Sequence, residues 1–513
     1  MPLIGHSGPP DRGLLDALAA GLAHRGPAAE GVAGTVRDAA ALDGEFVSSV
    51  REGDDLVLTR DAAGNRTAYY GRLADGRWAA AAEAQAVRRL PQFEARIRPQ
   101  AVAEFLTFSF VPGAATMCEE LFELTPGTRV RLRTGREPEV ETLFDPQAVE
   151  PDDSDPAEWP ARFRRLLEEE VAARLQPGES PVVFLSGGLD SSIVTAELVR
   201  QASRPVRTFA VHFGRGYPNE LAFARQVAGR LGTEHAEVRI PPRRAVARFG
   251  EVVRRLDEPV GDPVTMPNFE LAARVAGLGV TRVWNGEGGD PLFGGPKSLP
   301  MLIGEWYGGL GTRERRYLVS YRRALDELGR LPGRRVRGRF EEAALEAIVR
   351  PFFERGGPLL HKLLAINTRL KGGHLILPKV ERMLAAHGVE PVAPLFTRRM
   401  VELAFRSPPR AKLQGGVDKW LMRRAYAADL PDAVLSRPKS GMRVPVHYWF
   451  RGPLRRYARR ALSRSAVERA GLLDPDRVAG ILRHDASGGR SGLKVWMMLT
   501  LQAWARSSGL GGR

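Results

Sequence analysis

One cysteine in 513 residues, Cys118, leaves no pair for a disulfide framework and no cluster for structural zinc. No apolar run approaches the ~18 residues that a membrane-spanning helix needs, and Met1–Gly13 carries no charged-then-apolar leader pattern. These absences predict a soluble, cytoplasmic protein. There is no internal repeat and no low-complexity tail. No dense Lys/Arg tract is interleaved with aromatic residues, and the basic stretch Arg334–Arg339 is short. Nucleic acid is therefore a disfavoured partner. The net charge of +16 still permits anionic substrates or an acidic partner protein. The 55 glycines and 38 prolines, with abundant Arg and Ala, read as compositional bias.

A hydrophobic content of 43% supports real cores, and the length suggests two domains. Residues 1–150 form short β-like runs, such as Asp55–Thr59 and Arg129–Leu132, divided by Gly, Asp and Asn turns. Pro151–Pro156 is a proline- and acid-rich linker. The second domain, 157–513, opens on Trp159, Phe163, Leu167, Val171 and Leu175 at helical spacing. Strands at 181–185, 206–213, 235–240 and 281–285 then alternate with helices at about 193–202, 219–231, 243–256 and 269–278. Such alternation predicts a doubly wound parallel α/β sheet, with ligands at the carboxyl ends of its strands. Beyond about residue 300 the chain reads as helical.

The strand Pro181–Leu185 stops at Ser186-Gly187-Gly188, and Asp190, Ser191 and Ser192 open the following helix. Glycines there let backbone N–H groups approach phosphate, and the helix dipole favours negative charge. A Walker loop would end in Gly-Lys-Ser/Thr, which this turn does not. The strand Thr281–Asn285 ends in a second glycine turn, Gly286-Glu287-Gly288-Gly289-Asp290. Adjacent strands would set Asp290 beside Asp190, and two carboxylates near a triphosphate are what Mg²⁺ requires. Lys419 and Lys439 are candidate cations for a leaving pyrophosphate.

Pro181–Ser192 resembles the SGGxDS loop of the ATP pyrophosphatase families. The wider set of motifs resembles asparagine synthetases and their relatives. Asp257-Glu258-Pro259 with Asp262-Pro263, Gly286–Gly295, Lys379–Met383, Ala386–Glu390, Lys419–Arg423 and Arg437–Gly441 are similar to segments of that family. In the first domain, His24-Arg25-Gly26-Pro27, Leu42–Phe46, Arg60-Asp61 with Tyr69-Tyr70, and Leu124–Gly127 are similar to its glutaminase half. The resemblance implies an N-terminal-nucleophile (Ntn) α/β/β/α sandwich followed by a PP-loop synthetase domain with a helical extension. It also implies ATP held at Leu185, Ser186, Gly187, Gly188, Asp190, Ser191, Ser192, Val211 and Gly286. Mg²⁺ is implied on Asp190 and Asp290, with Lys439, Lys419, Glu287 and Glu390 as catalytic residues.

Where glutamine-using members place a nucleophilic cysteine after the initiator Met, this chain has Pro2, and only a short connection joins Pro27 to Leu42. The front domain is therefore expected to be a glutaminase-dead scaffold. The expected function is an AMP-forming ligase that adenylates a carboxylate and couples it to an amine or ammonia in specialised metabolism. Its substrate would be a small molecule or a peptide, with a precursor peptide or protein as a partner. Lasso-peptide cyclisation and β-lactam closure are alternatives. Glu287, where β-lactam synthetases carry Tyr, weighs against β-lactam closure. Pro291 and Glu390-Pro391-Val392 depart from the aspartate-using pattern. A tRNA-modifying PP-loop enzyme or a non-catalytic scaffold accounts for fewer of these motifs.

Overall fold

The computed structural model describes residues 2–25, 28, 30–38, 42–294, 298–308, 311–321, 324–437 and 441–510. In the first part, strands β1 (Ile4–His6), β5 (Tyr69–Arg72), β6 (Trp78–Ala81) and β7 (Leu121–Glu123) make one antiparallel sheet, in the order β1-β6-β5-β7. Strands β2 (Gly31–Asp38), β3 (Asp43–Glu52), β4 (Asp55–Arg60), β8 (Thr128–Leu132) and β9 (Glu139–Thr142) make the other. Alternation turns Val47, Leu56, Leu58 and Val130 of the second sheet onto Tyr70 and Trp78 of the first. Helices α1 (Arg12–Gly21) and α2 (Pro99–Phe108) cover the outer face of the four-stranded sheet. The implied four-layer sandwich is thus present in reduced form. Cys118 is buried, and burial pushes its thiol up to about 12, so it is inert.

Helix α3 (Trp159–Ala172) leads into the second part, where β10 (Val182–Phe184), β11 (Arg207–His212), β12 (Glu234–Arg239) and β13 (Arg282–Trp284) pair in parallel. A fifth strand, β14 (Glu390–Val392), was not legible: three residues containing a proline carry no strand pattern. The order is β12-β11-β10-β13-β14. The chain steps outward from β10 through β11 to β12, then returns to lay β13 on the other side of β10. This reversal opens the crevice in which ligands of such sheets sit. Helices α4 (Leu189–Gln201), α5 (Leu221–Leu231), α6 (Pro242–Arg255) and α7 (Thr265–Ala276) form the crossovers. Helix α4 starts four residues before the apolar pattern suggests, because Gly188 O accepts from Ser192 N at 3.1 Å. Asp190, Ser191 and Ser192 therefore belong to its first turn.

The helical extension is a continuous run from Leu359 to Ala385. Its centre, Asn367–Ile376, is π-helical, and α9 below takes up its last part. The front domain grips that centre. Buried Arg60 donates to Glu123 Oε1 (2.9 Å), Gly64 O (2.9 Å) and Gly373 O (3.0 Å), while Asn65 donates to Phe396 O at 3.1 Å. Nearby, Arg382 donates to Thr67 Oγ1 at 2.6 Å and lies 3.3–3.4 Å from Glu83, Asp257 and Glu381. Arg25 pairs with Glu381, and His24 Nε2 is 3.1 Å from Glu83. His24 and Arg25, from the glutaminase-like motif, are thus spent on an ion cluster between the domains.

Glu258 lies in the same seam, 3.3 Å from Arg88 and accepting from Met117 N at 2.6 Å. Burial outweighs both and pushes its carboxyl up to about 7. The folded value lies above the unfolded one of about 4.3, so the contribution to stability is full below pH ~4.3 and lost as pH rises through ~7. Between pH 5 and 8, wild type should lose a few °C more in melting temperature than Glu258→Gln. Parallel melting curves would contradict this.

Candidate active site

A cleft of about 660 Å³ opens at the carboxyl ends of β10, β11 and β13. Leu185, Ser186, Gly188, Asp190 and Ser191 line it from the first glycine turn, and Val211 from β11. Gly286, Glu287 and Asp290 line it from the second turn. Lys371 and Lys379 enter from the π-helical run and its continuation, α8 being the short helix Gly289–Phe293 and α9 Leu377–Ala385.

The two glycine turns touch. A Cβ on Gly286 would lie 2.4 Å from Ser191 N, and one on Gly289 would lie 2.3 Å from Asp190 Cγ. Only glycine permits that approach. Gly187 (φ +74°) is not among the residues lining the cleft, and a Cβ there would meet Ala224 N at 2.5 Å. Within the first turn, Ser191 Oγ is 3.1 Å from Ser186 Oγ and accepts from Ser186 N at 3.2 Å.

Lys419 joins the turns. Its Nζ lies 2.7 Å from both Asp190 oxygens and 2.5 Å from Asp290 Oδ1, and the side chain is 2% exposed. One ammonium thus bridges the two carboxylates. Lys419 takes φ +53°, rare for a residue with a side chain, at the start of α10 (Trp420–Ala425). Arg423 on α10 braces this turn. It donates to Asp418 O at 2.8 Å, to Asp418 Oδ1 at 3.1 Å, to Arg437 O at 3.2 Å and to Leu435 O. One guanidinium thus ties the Lys419 turn to the end of the short helix Asp432–Leu435 and to Arg437. Arg423→Lys keeps the charge but loses the fork. It should lower turnover about tenfold in pyrophosphate exchange while leaving KM for ATP within about twofold. An equal rise in KM with unchanged kcat would sink this positioning role.

Several expected residues sit elsewhere. Glu390 is the first residue of β14, at the amino end of the strand, and pairs with Arg66 of the front domain rather than lining the cleft. It is withdrawn as a candidate base, which leaves Glu287. Ser192 Oγ is turned back onto Gly188 O at 2.7 Å, so that serine acts within the helix. Lys439 lies outside the described residues. Sequence reasoning assigned no role to Asn285, whose Oδ1 accepts from Glu287 N at 2.9 Å while its buried Nδ2 finds no partner among the described residues. Nor did it assign one to the pair Lys379–Asp262 (2.8 Å) on the far wall. Both members fall inside motifs quoted for the resemblance, which was the available signal.

Among the described residues no group of three or more His, Cys, Asp and Glu could hold a metal. A divalent ion here would therefore complete its shell with phosphate and water, as Mg²⁺ does. The two carboxylates at the meeting of the glycine turns and the Asn285 donor fit a magnesium-nucleotide. No helix among the described residues is long and apolar enough to cross a membrane.

Residues 36–142 match the Glutamine amidotransferase domain. The chain is 24% identical to asparagine synthetase [glutamine-hydrolyzing] 1 of Bacillus subtilis (strain 168), over 91% of this chain and 78% of that one. It is 28% identical to a putative asparagine synthetase [glutamine-hydrolyzing] of Mycobacterium bovis, over 88% and 74%. It is 29% identical to carboxyethyl-arginine beta-lactam-synthase of Streptomyces clavuligerus, over 78% and 64%. Residues 162–506, which carry both glycine turns and Lys419, match Asparagine synthase, and the chain belongs to that family.

Proposed function

We propose that this protein is an ATP-dependent, AMP-forming carbon–nitrogen ligase that works without a glutaminase of its own. The observation that carries the reading is the Asp190–Lys419–Asp290 triad where the two glycine turns meet. Asp190 and Asp290 would hold Mg²⁺, which neutralises charge on the phosphates when bound. The N–H groups and hydroxyls of Ser186, Gly188 and Ser191 hold the phosphate chain at the start of α4. A substrate carboxylate oxygen attacks the α phosphorus. The bond from that phosphorus to its bridging oxygen breaks, and pyrophosphate leaves with its charge facing Lys419 and, from the resemblance, Lys439. An amine or ammonia nitrogen then attacks the acyl carbon. Glu287 takes the amine proton, and AMP departs.

Pro2 in place of a nucleophile, and His24 and Arg25 engaged in the ion cluster, support a front domain that hydrolyses no glutamine. Ring closure is the second reading, supported by the likeness to a beta-lactam-synthase. A role in cytoplasmic specialised metabolism, on a small-molecule or peptide carboxylate, fits both. The test is ATP–pyrophosphate exchange across a panel of carboxylates, read beside glutamate release from glutamine. Exchange with at least one carboxylate and no glutamate above background is expected. Glutamate release would overturn the dead-domain reading, and exchange with none of the panel would overturn the ligase reading.

A further inference from the structure

From Ala433 to Val467 the chain has no acidic residue and nine cations. The densest part is the helix Arg455–Ala461, whose four arginines 455, 456, 459 and 460 are all exposed. At 100° per residue they share one face of about 140°. Among the described residues no carboxylate pairs with any of the four, whereas Arg437 and Arg464 on either side find Glu220 and Glu468. Two like-charge i,i+4 pairs, 455–459 and 456–460, oppose helix formation. The fold gains nothing from that repulsion.

The face is broad and fixed. Tyr457 packs edge-on to Phe249 of α6 (6.0 Å), and Phe249 packs on Trp496 (5.1 Å) of the C-terminal helix α11 (Gly492–Ser507). Those helices add exposed Arg254 and Arg506. The face also connects to the cleft. Met442 and Arg443 line the cleft, and the chain then passes Tyr448, which is 53% exposed and rests on Tyr217 at 5.9 Å. Pro218 and Asn219, next to Tyr217, line the cleft again.

We propose that this face docks an acidic segment of a partner protein at the mouth of the cleft. Unpaired arginine forks bind carboxylates two hydrogen bonds at a time, and exposed Tyr beside Arg is the composition of protein-interface anchors. Nucleic acid fits less well. Tyr457, the one aromatic on the arginine helix, is turned inward against Phe249 and offers no ring for base stacking among the four arginines. The seven-residue helix is also only about 10 Å long.

The probe is a fluorescent 20-residue poly-glutamate peptide, with an RNA duplex of equal charge as comparator, titrated into the full chain at low salt. The test variant is R455E/R456E/R459E/R460E. A control of identical net charge, R12E/R136E/R165E/R204E, reverses exposed arginines elsewhere. The cluster variant should bind the peptide about tenfold or more weakly, and the control within about twofold of wild type. If the reversal fails to fold, R459Q/R460Q should still weaken binding about threefold. Equal weakening by cluster and control would reduce the effect to net charge and overturn the proposal. Tighter binding of RNA than of peptide would overturn it as well. Binding is read without ATP, so failure here leaves the ligase reading untouched.

Discussion

Asp190→Ala is expected to lower ATP–pyrophosphate exchange by about 10³-fold or more, beyond the effect of losing one ordinary hydrogen-bond partner. Asp190 accepts two short bonds from Lys419 and packs on the Cα of Gly289, so three elements meet on its carboxylate. Its removal takes one of the two carboxylates from Lys419 and from the meeting point of the glycine turns. A divalent cation then loses both a ligand and its electrostatic reason to bind. Asp190→Asn serves as the shape-preserving control and should fail similarly in exchange while melting close to wild type. Exchange retained in Asp190→Asn would remove the carboxylate from the metal role.

Arg382→Met should cost about 3–5 kcal/mol of stability, the range for breaking a buried ion cluster from one side. Arg382 is 2% exposed and faces Glu83, Asp257 and Glu381. Burial opposes its charge, but the three carboxylates outweigh burial and raise its pKa. Burial also works against Glu83 and Glu381. Arg382 foremost for Glu83, and Arg25 foremost for Glu381, overcome it and hold both carboxyls below the usual range. Lowered folded values mean stability present above the unfolded value of about 4.3 and lost as pH falls through the folded ones. The gap between wild type and Arg382→Met should therefore be widest near neutrality and shrink below pH ~4. Asp257 runs the other way, since burial raises its pKa. A melting-temperature difference that is constant from pH 7 to 3.5 would refute the cluster's electrostatic role.

The strands and crossovers of the parallel sheet were legible because β-branched runs such as Val182–Val183 end at glycines, and amphipathic helices follow. The meeting of Asp190 and Asp290 was also legible, since it depends only on β10 and β13 being neighbours. The ammonium between them was not. Lys419 arrives from 229 positions later in the chain, on a left-handed turn no propensity favours. Glu390 misled because a motif match fixes a residue's place in sequence, whereas Arg66 from another domain fixes where its carboxylate points. The chain beyond residue 300 was read only as helical, with no sign of the π-helical run at Asn367–Ile376 or of how its Gly372-Gly373 pair is held. Packing of Gly372 against Phe396 and of Gly373 against Pro126 holds that pair inside the continuous helix.

That wide-turned stretch acts as a phase shifter. Each π turn holds an extra residue, so the ten-residue run Asn367–Ile376 rotates everything downstream relative to an ordinary helix. Lys379 and Arg382 are three positions apart, yet one faces the cleft and the other the seam between the domains. Deleting Gly372 or Gly373 would reset the phase and swing both away from their carboxylates at once. Catalytic wall and domain joint are therefore geared to one another, and neither can be retuned by a local insertion or deletion alone.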